Sequence, residues 1–167
     1  MRALECSEMR VFPLILLIAS LAATVAAQEL PDPPKKVTPY LIHATNLLEI
    51  ETNEAVEESD KKAQIYAVAG PASPVKTPLG FPEFLFAAEE IDPQTLELYG
   101  FESVNGRREL LFRKKKKVVV RTYFMDVIPR GEGVYKLRVD SSLASGEYCL
   151  TPGGDTGSNT VFCFAVL

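Results

Sequence analysis

The chain has 167 residues, of which 47% are hydrophobic and 24% charged, and its formal net charge at pH 7 is −4. This negative charge does not favour binding to nucleic acid, so we expect no nucleic-acid partner. The sequence contains one histidine, His43, and no Cys-x-x-Cys pair, and therefore lacks the usual zinc-binding spacings. We expect no metal and no cofactor.

The N-terminal segment is strongly apolar. Residues Val11–Ala27 end in small residues at the spacing that signal peptidase recognises, which predicts a signal peptide over residues 1–27 and a new N-terminus at Gln28. A transmembrane helix needs about 20 apolar residues, and this run is shorter and interrupted by polar residues. An uncleaved anchor is the alternative, and it would be the only segment of the chain inserted in a membrane. The prediction is a periplasmic or secreted protein.

Translation could begin at either of two methionines before the apolar run, Met1 or Met9. A start at Met9 gives a cleaner signal than a start at Met1, because Glu5 and Glu8 weaken the positive charge that signals carry at this end. Cys6 precedes the apolar run, whereas the lipid-bearing cysteine of a lipoprotein follows it. We therefore expect a soluble product without a lipid tether.

Cleavage would remove 27 of the 167 residues and leave 140, the size of one ordinary domain. Residues 28–36 contain three prolines and few apolar residues, which predicts an extended linker. Residues 37–167 are then expected to form a single β-sandwich-like domain.

The pattern after the linker is one of strands. Alternation and β-branched or aromatic runs dominate, and the charged segment Glu54–Lys62 is the one place where a short helix is expected. The prediction is a mainly antiparallel β-sandwich, or alternatively an open barrel, of about ten strands. The predicted strands are Thr38–His43, Leu47–Thr52, Ala63–Ala69, Ser73–Thr77, Phe84–Ala88, Leu96–Val104, Arg107–Phe112, Val118–Ile128, Val134–Val139, Glu147–Thr151 and Thr160–Val166.

Two hairpins are specified by their turns. Asn105-Gly106 separates two strand-like runs, and this dipeptide favours a type I′ turn because both positions need positive φ. The last two strands flank a loop centred near Thr156, so a symmetric register places Cys149 opposite Cys163. An oxidising compartment would allow a disulfide between them. The alternative is a pair of reduced, buried cysteines, because a slip of one residue puts the two side chains on opposite faces.

The most conspicuous charged feature is a basic run. Arg113, Lys114, Lys115, Lys116 and Lys117 are consecutive, and four lysines in a row cannot share one face of a core strand, so they are expected in a loop. One interpretation is weak contact with an anionic surface such as phospholipid or an acidic polysaccharide. The other is a solvated loop that blocks aggregation beside the apolar residues 118–120.

Catalytic signatures are missing from the sequence. A Ser-His-acid triad would have to use His43, and no Gly-x-Ser-x-Gly elbow occurs. Pairs of carboxylates as in glycosidases depend on spatial proximity, which a sequence does not display. We therefore assign no catalytic residue.

Several motifs occur in order along the mature chain: PYLIHATNLLEIE, the break AGPASPV, LELYGFESVNGRREL, SGEYCL and VFCFAVL. In these the chain resembles an uncharacterised β-rich module of exported bacterial proteins, particularly from Acidobacteria and related phyla. It departs from the family at Ser145, where proline is common, at Cys149, where alanine is common, and at Ala165, where glycine is common. The shared motifs are structural, so the resemblance implies an exported β-module and no mechanism.

Three functions follow from these observations. The first is a non-enzymatic binding or interaction module of the bacterial envelope, whose partner is an envelope protein or polymer. The second is a carboxylate-dependent hydrolase acting on envelope polymers, which requires two acids converging in a cleft. The third is a structural accessory subunit of a larger envelope assembly.

Overall fold

The computed structural model of the chain describes residues 30–59, 63–113, 120–153 and 159–167. Within these ranges the fold is all-β, as the sequence predicts, with fourteen strands and a short 3-10 helix at Pro93–Thr95. The strands are β1 (Tyr40–His43), β2 (Asn46–Glu49), β3 (Glu51–Glu54), β4 (Val56–Ser59), β5 (Ala63–Ala69), β6 (Lys76–Thr77), β7 (Glu83–Ala87), β8 (Leu96–Val104), β9 (Arg107–Arg113), β10 (Thr122–Tyr123), β11 (Met125–Gly131), β12 (Val134–Val139), β13 (Gly146–Pro152) and β14 (Thr160–Val166).

Five of these strands form a sheet that covers one side of the molecule. Their order is β11-β12-β7-β1-β2, and all neighbours are antiparallel. Leu41, Phe84, Phe86 and Leu137 project from this sheet and are almost completely buried, so one face of it packs against the rest of the molecule.

The second sheet closes on itself. Its main path is β3-β14-β13-β8-β9-β5-β4, with β10 added to β8 and β6 added to β14 as a parallel neighbour. The two end strands of this path, β3 and β4, are separated in the chain by Ala55 alone. Because β3 pairs with β14 and β4 pairs with β5, one extended segment joins both edges, and the sheet curls into a barrel.

The barrel wall separates two apolar clusters. Strand β14 contributes to both, since successive side chains of a strand point to opposite faces. Phe162 and Phe164 pack into the core between the two sheets, whereas Val161 and Cys163 face the barrel interior. The architecture is thus a sheet packed on a barrel, and the barrel has an interior of its own.

Many of the predicted elements are confirmed. The strands Ala63–Ala69, Leu96–Val104 and Val134–Val139 have the bounds that the sequence predicts. In the turn between β8 and β9, Asn105 and Gly106 have φ angles of 50° and 80°, the sign that a type I′ turn demands.

The prediction of a short helix in Glu54–Lys62 is wrong for residues 54–59, the part of this segment that the structure describes. Residues Val56–Ser59 are strand β4, antiparallel to β5. The segment has few apolar residues, but β5 offers it an open row of backbone donors and acceptors. Pairing with that edge satisfies the backbone of both strands and outweighs local helix propensity.

The long strand predicted at Val118–Ile128 is interrupted. Residues 118–119 lie outside the described ranges, and residues 120–121 belong to no strand. The rest of the predicted strand forms β10 and the first part of β11, on either side of Phe124. The two strands belong to different sheets, because β10 pairs with β8 and β11 pairs with β12. Phe124 marks the crossing and is 77% exposed.

The predicted signal peptide, residues 1–27, lies outside the described residues, as do the first two residues of the predicted linker. Lys35 and Lys36, at the end of that linker, form ion pairs of 2.7 Å with Glu49 and 2.8 Å with Glu89. No helix in the described part of the chain has the length and apolarity needed to cross a membrane.

Candidate functional site

One end of the barrel interior is closed by a buried arginine. The Arg108 side chain on β9 is fully buried, and its guanidinium donates to both carboxylate oxygens of Glu51 on β3, at 2.7 and 3.1 Å. It also donates to the carbonyl oxygens of Ala69 and Gly70, at 2.8 and 3.2 Å. A second carboxylate, Glu147, lies 3.9 Å away. The buried charge is therefore both paired and hydrogen-bonded, which burial of an ion requires.

The same end is tied to the loop before β6. The backbone N–H of Ser73 donates to Glu147 at 2.8 Å, and its hydroxyl donates to the carbonyl oxygen of Cys163 at 3.2 Å. Burial acts to raise the pKa of Glu51, but hydrogen bonds, first among them that from Arg108, outweigh it and hold this pKa below its ordinary value. Glu51 is thus ionised at neutral pH.

The barrel wall contains a disulfide. Cys149 on β13 and Cys163 on β14 face each other in the register and are bonded, with their Cα atoms 4.1 Å apart. The predicted pairing is confirmed, and the alternative of two reduced cysteines is not what the structure contains. Both residues are fully buried and line the interior next to Val161 and Leu110.

The opposite end of the barrel opens into a cavity of about 360 Å³, which we call the mouth cavity. Its deep part is apolar, with the buried side chains of Ala55, Phe101, Leu110 and Val161. The full lining in the described chain is Ala55, Glu57, Tyr66, Glu97, Tyr99, Phe101, Leu110, Phe112, Thr151, Pro152, Gly153, Asn159, Thr160 and Val161.

Three aromatic rings form the wall of the mouth cavity. Phe112 on β9 stands nearly perpendicular to Tyr66 on β5, with a centroid distance of 5.7 Å, and to Tyr99 on β8, with a centroid distance of 6.1 Å. Edge-to-face contacts of this kind are the favoured arrangement of aromatic pairs. The rings come together because alternate residues of β5, β8 and β9 point into the barrel.

Two carboxylates are fixed beside these rings. The hydroxyl of Tyr99 donates to Glu97 at 2.5 Å, and the amide of Gln64 donates to Glu57 at 2.8 Å and to the Tyr66 oxygen at 2.7 Å. Burial raises the pKa of Tyr99 far above its ordinary value, and the hydrogen bond and charge of Glu97 add to this. Burial and the charge of Glu57 likewise raise the pKa of Tyr66. Both phenols are therefore neutral over the physiological pH range.

A second cavity, of about 460 Å³, lies where β9 diverges from β8. Phe101 and Leu110 line both cavities and so form a partition between them. The second cavity is larger, but its walls mix opposite charges, with Glu109 and Arg121 among them. Its buried Tyr148 hydroxyl already donates to the carbonyl oxygen of Ala144 at 2.7 Å. The mouth cavity, with an apolar floor and a few convergent polar groups, has more of the character of a ligand site.

The basic run is only partly within the described residues. Arg113 is the last residue of β9, where its backbone pairs with Ala63. Lys114–Lys117 lie outside the described ranges, so their contact with an anionic surface stays a prediction. His43 ends β1 and is exposed. The described residues contain no group of three or more His, Cys, Asp or Glu side chains arranged to hold a metal ion.

Sequence reasoning missed the mouth cavity. Tyr66, Tyr99 and Phe112 each occupy a predicted strand, and their inward direction follows from the alternation. Their convergence depends on β9 lying between β5 and β8 in the sheet, an order that the sequence pattern does not reveal.

Comparisons with family models, with curated proteins and with solved structures returned no match. Among the described residues, the mouth cavity best fits a binding site, because it combines depth, aromatic walls and fixed polar groups.

Proposed function

We propose that the chain is an exported, non-enzymatic binding module of the bacterial envelope and that its ligand occupies the mouth cavity. The observation that carries this proposal is the aromatic wall of Tyr66, Tyr99 and Phe112 around an apolar floor. Small-molecule sites are concave, mostly apolar and usually preformed. A barrel end held by strand pairing supplies such a site without rearrangement.

The proposal of export rests on the apolar run Val11–Ala27, and the Cys149–Cys163 disulfide supports it. Disulfides persist in oxidising compartments and are rare in the cytosol. The N-terminal mass of the protein recovered from its native host would begin at Gln28 if the signal is removed there.

Blocking the mouth cavity tests the binding function. The substitution Thr151→Trp places a bulky ring in the lining, and the chain has no other tryptophan. We expect fractions of small molecules from the bacterial envelope to perturb the methyl NMR signals of Ala55, Leu110 and Val161 in the wild type but not in this variant. Thr45→Trp, in the exposed turn after β1, is the matched control and should respond like the wild type.

The distribution of the NMR changes decides the outcome. Changes confined to the lining and lost only in Thr151→Trp support the mouth cavity as the site. Changes that persist in Thr151→Trp, or that spread over the outer face of the barrel, would place binding elsewhere and refute the proposal.

A hydrolase acting on envelope polymers is the second candidate, because Glu57 and Glu97 line the same cavity. Glycosidases need two carboxyl groups on either side of the scissile bond. In this chain each carboxylate already accepts a hydrogen bond from a neighbouring side chain, Glu57 from Gln64 and Glu97 from Tyr99. Cleavage of a labelled envelope glycan that is abolished by both Glu57→Gln and Glu97→Gln would favour the hydrolase.

A further inference from the structure

The charges of the mouth cavity have one sign. Glu57 and Glu97 are among its lining residues, and the described lining contains no lysine, arginine or histidine. The two acids come from strands that do not neighbour each other, since Glu57 is on β4 and Glu97 on β8. Both acidic residues are exposed, so the negative charge lies at the rim of the cavity and approaches its opening from two directions, where it attracts a cation towards the rings.

The aromatic wall, like the two acids, favours a positively charged ligand. The face of an aromatic ring carries negative charge density and attracts a cation that lies within about 6 Å of the ring centre. The planes of Tyr66 and Tyr99 are at 86° and 76° to that of Phe112. The three rings that line the cavity therefore do not lie in one plane, so a bound cation has more than one ring within reach.

The carboxylates are fixed before any ligand arrives. One oxygen of Glu97 is held by the Tyr99 hydroxyl, and one oxygen of Glu57 is held by the Gln64 amide. Each acid is therefore anchored to, or next to, a ring of the wall. A neutral ligand that displaced water from these acids would leave their charge uncompensated, which is costly.

From these observations we infer that the mouth cavity binds an organic cation: an ammonium or quaternary ammonium group carried on a short apolar stem. The charged head lies against the rings of Tyr66, Tyr99 and Phe112 and near the two carboxylates, and the stem contacts the apolar floor. The inference rests on the proposed function, since it specifies the ligand of the same cavity. It does not involve a covalent step.

The test uses two probes of the same shape. Choline carries a quaternary ammonium, and 3,3-dimethylbutan-1-ol replaces the charged nitrogen with carbon. We expect titration of the full chain, followed by the methyl signals of Leu110 and Val161, to show choline binding at least about tenfold tighter than the alcohol. Equal affinity of the two probes would overturn the inference, because shape and apolar contact would then explain all the binding.

Substitution of the two acids tests whether their charge causes the preference for choline. Glu97→Gln and Glu57→Gln keep the size of the side chain, and each should weaken choline binding several-fold while leaving the affinity for the alcohol unchanged. Glu58→Gln is the matched control, since Glu58 neighbours Glu57 but pairs with Arg107 on the outer face of the barrel. An equal loss in the control would mean that overall charge alone attracts the cation, and this too would overturn the inference.

Phe112→Leu keeps an apolar side chain but removes one ring. We expect it to weaken choline binding more than binding of the alcohol. If both probes bind equally and both are lost in Thr151→Trp, the cavity is a ligand site for neutral molecules, so the proposed function stands and the cation inference fails. If neither probe binds while envelope fractions still perturb the lining, the same conclusion holds. If nothing perturbs the lining, both proposals fail.

Discussion

Arg108 is the largest of the fully buried side chains in the described part of the chain. Its guanidinium has five N–H donors, and it uses them on Glu51 and on the carbonyl oxygens of Ala69 and Gly70. These partners come from β3 and from the end of β5. One side chain thus holds two distant parts of the barrel wall at a fixed separation.

Removal of this charge is expected to be severe. Arg108→Met leaves the half-buried Glu51 without its charged partner. Loss of one member of a buried ion pair costs about 3–5 kcal/mol, and we expect a loss at the lower end of that range because Glu51 is partly exposed. The double variant Arg108→Met/Glu51→Gln removes both charges and should recover a large part of that loss. Urea unfolding of the wild type, the single variant and the double variant measures the free energy of unfolding in each. A single variant as stable as the wild type would contradict this account of the pair.

The pH dependence of the same variants follows from the lowered pKa of Glu51. In the unfolded chain this carboxyl titrates near 4.5, and in the folded chain it titrates lower. Its contribution to stability is therefore present above about pH 4.5 and is lost as the pH falls through the folded pKa. In Arg108→Met the half-buried carboxyl loses the largest of the hydrogen bonds that favour its charged form, whereas its burial, which favours the protonated form, remains. Acidification should therefore relieve part of the destabilisation. The difference in stability between the two proteins should narrow towards pH 4, and a constant difference would show that the charge of Glu51 is irrelevant.

The role of Arg108 was not accessible from the sequence. It stands beside Arg107 and only five residues before the basic run that begins at Arg113, so its neighbourhood suggests solvent exposure. Its main partner, Glu51, is 57 residues away in the chain. A pairing at that distance depends on the path of the whole sheet, and local charge patterns carry no information about it.

The strand pairings that short-range sequence patterns predict are the ones that the structure confirms. The Asn105-Gly106 turn and the register of β13 on β14 follow from turn chemistry and from a symmetric loop, and both are confirmed. The misassigned segment is β4, which pairs with the next strand in the chain, β5; residues 60–62 between them carry no turn signal as clear as Asn105-Gly106. Glu57 faces the mouth cavity while Val56 is exposed, so β4 lacks the apolar alternation that strand prediction needs.

The β13–β14 hairpin allows a test of the disulfide. Cys149 and Cys163 are 14 residues apart, and closing a loop of that size in the unfolded chain is expected to contribute about 3 kcal/mol. Urea unfolding of the wild type with and without reductant should show a loss of this order. The reduced protein keeps both sulfur atoms, so the comparison isolates the bond from the packing.

The variant Cys149→Ala/Cys163→Ala is the control for effects of the reductant that do not involve this disulfide. Its stability should be insensitive to reductant, since Cys6, the remaining cysteine of the sequence, has no partner left in the chain. If reductant destabilised this variant as much as the wild type, the bond would not be the cause of the effect. Alkylation of unfolded, unreduced wild type should leave Cys149 and Cys163 unmodified.

Charge is distributed unevenly along the chain. Residues 28–100 contain 13 acidic and 5 basic side chains, whereas residues 101–167 contain 7 acidic and 11 basic ones. The excess of positive charge in the second part comes largely from Arg113–Lys117. The net negative charge of the whole protein therefore does not predict what this segment attracts, because exposed charges act over about 10 Å at ordinary salt.

The anionic-surface prediction for this segment can be separated from a simple effect of net charge. Changing Lys114–Lys117 to serine removes four positive charges, and each lysine near an anionic membrane contributes about 1 kcal/mol. We expect the variant to lose sedimentation with phosphatidylserine vesicles at low salt, and the wild type to lose it as salt is raised. The matched control changes Lys35, Lys36, Lys76 and Lys136 to serine, which alters the net charge by the same amount at scattered positions.

Retention of binding in the control assigns the contact to the basic run. Equal losses in the two variants would leave only a general attraction, and unchanged binding in both would favour the other interpretation, a solvated loop that protects the apolar residues 118–120 from aggregation.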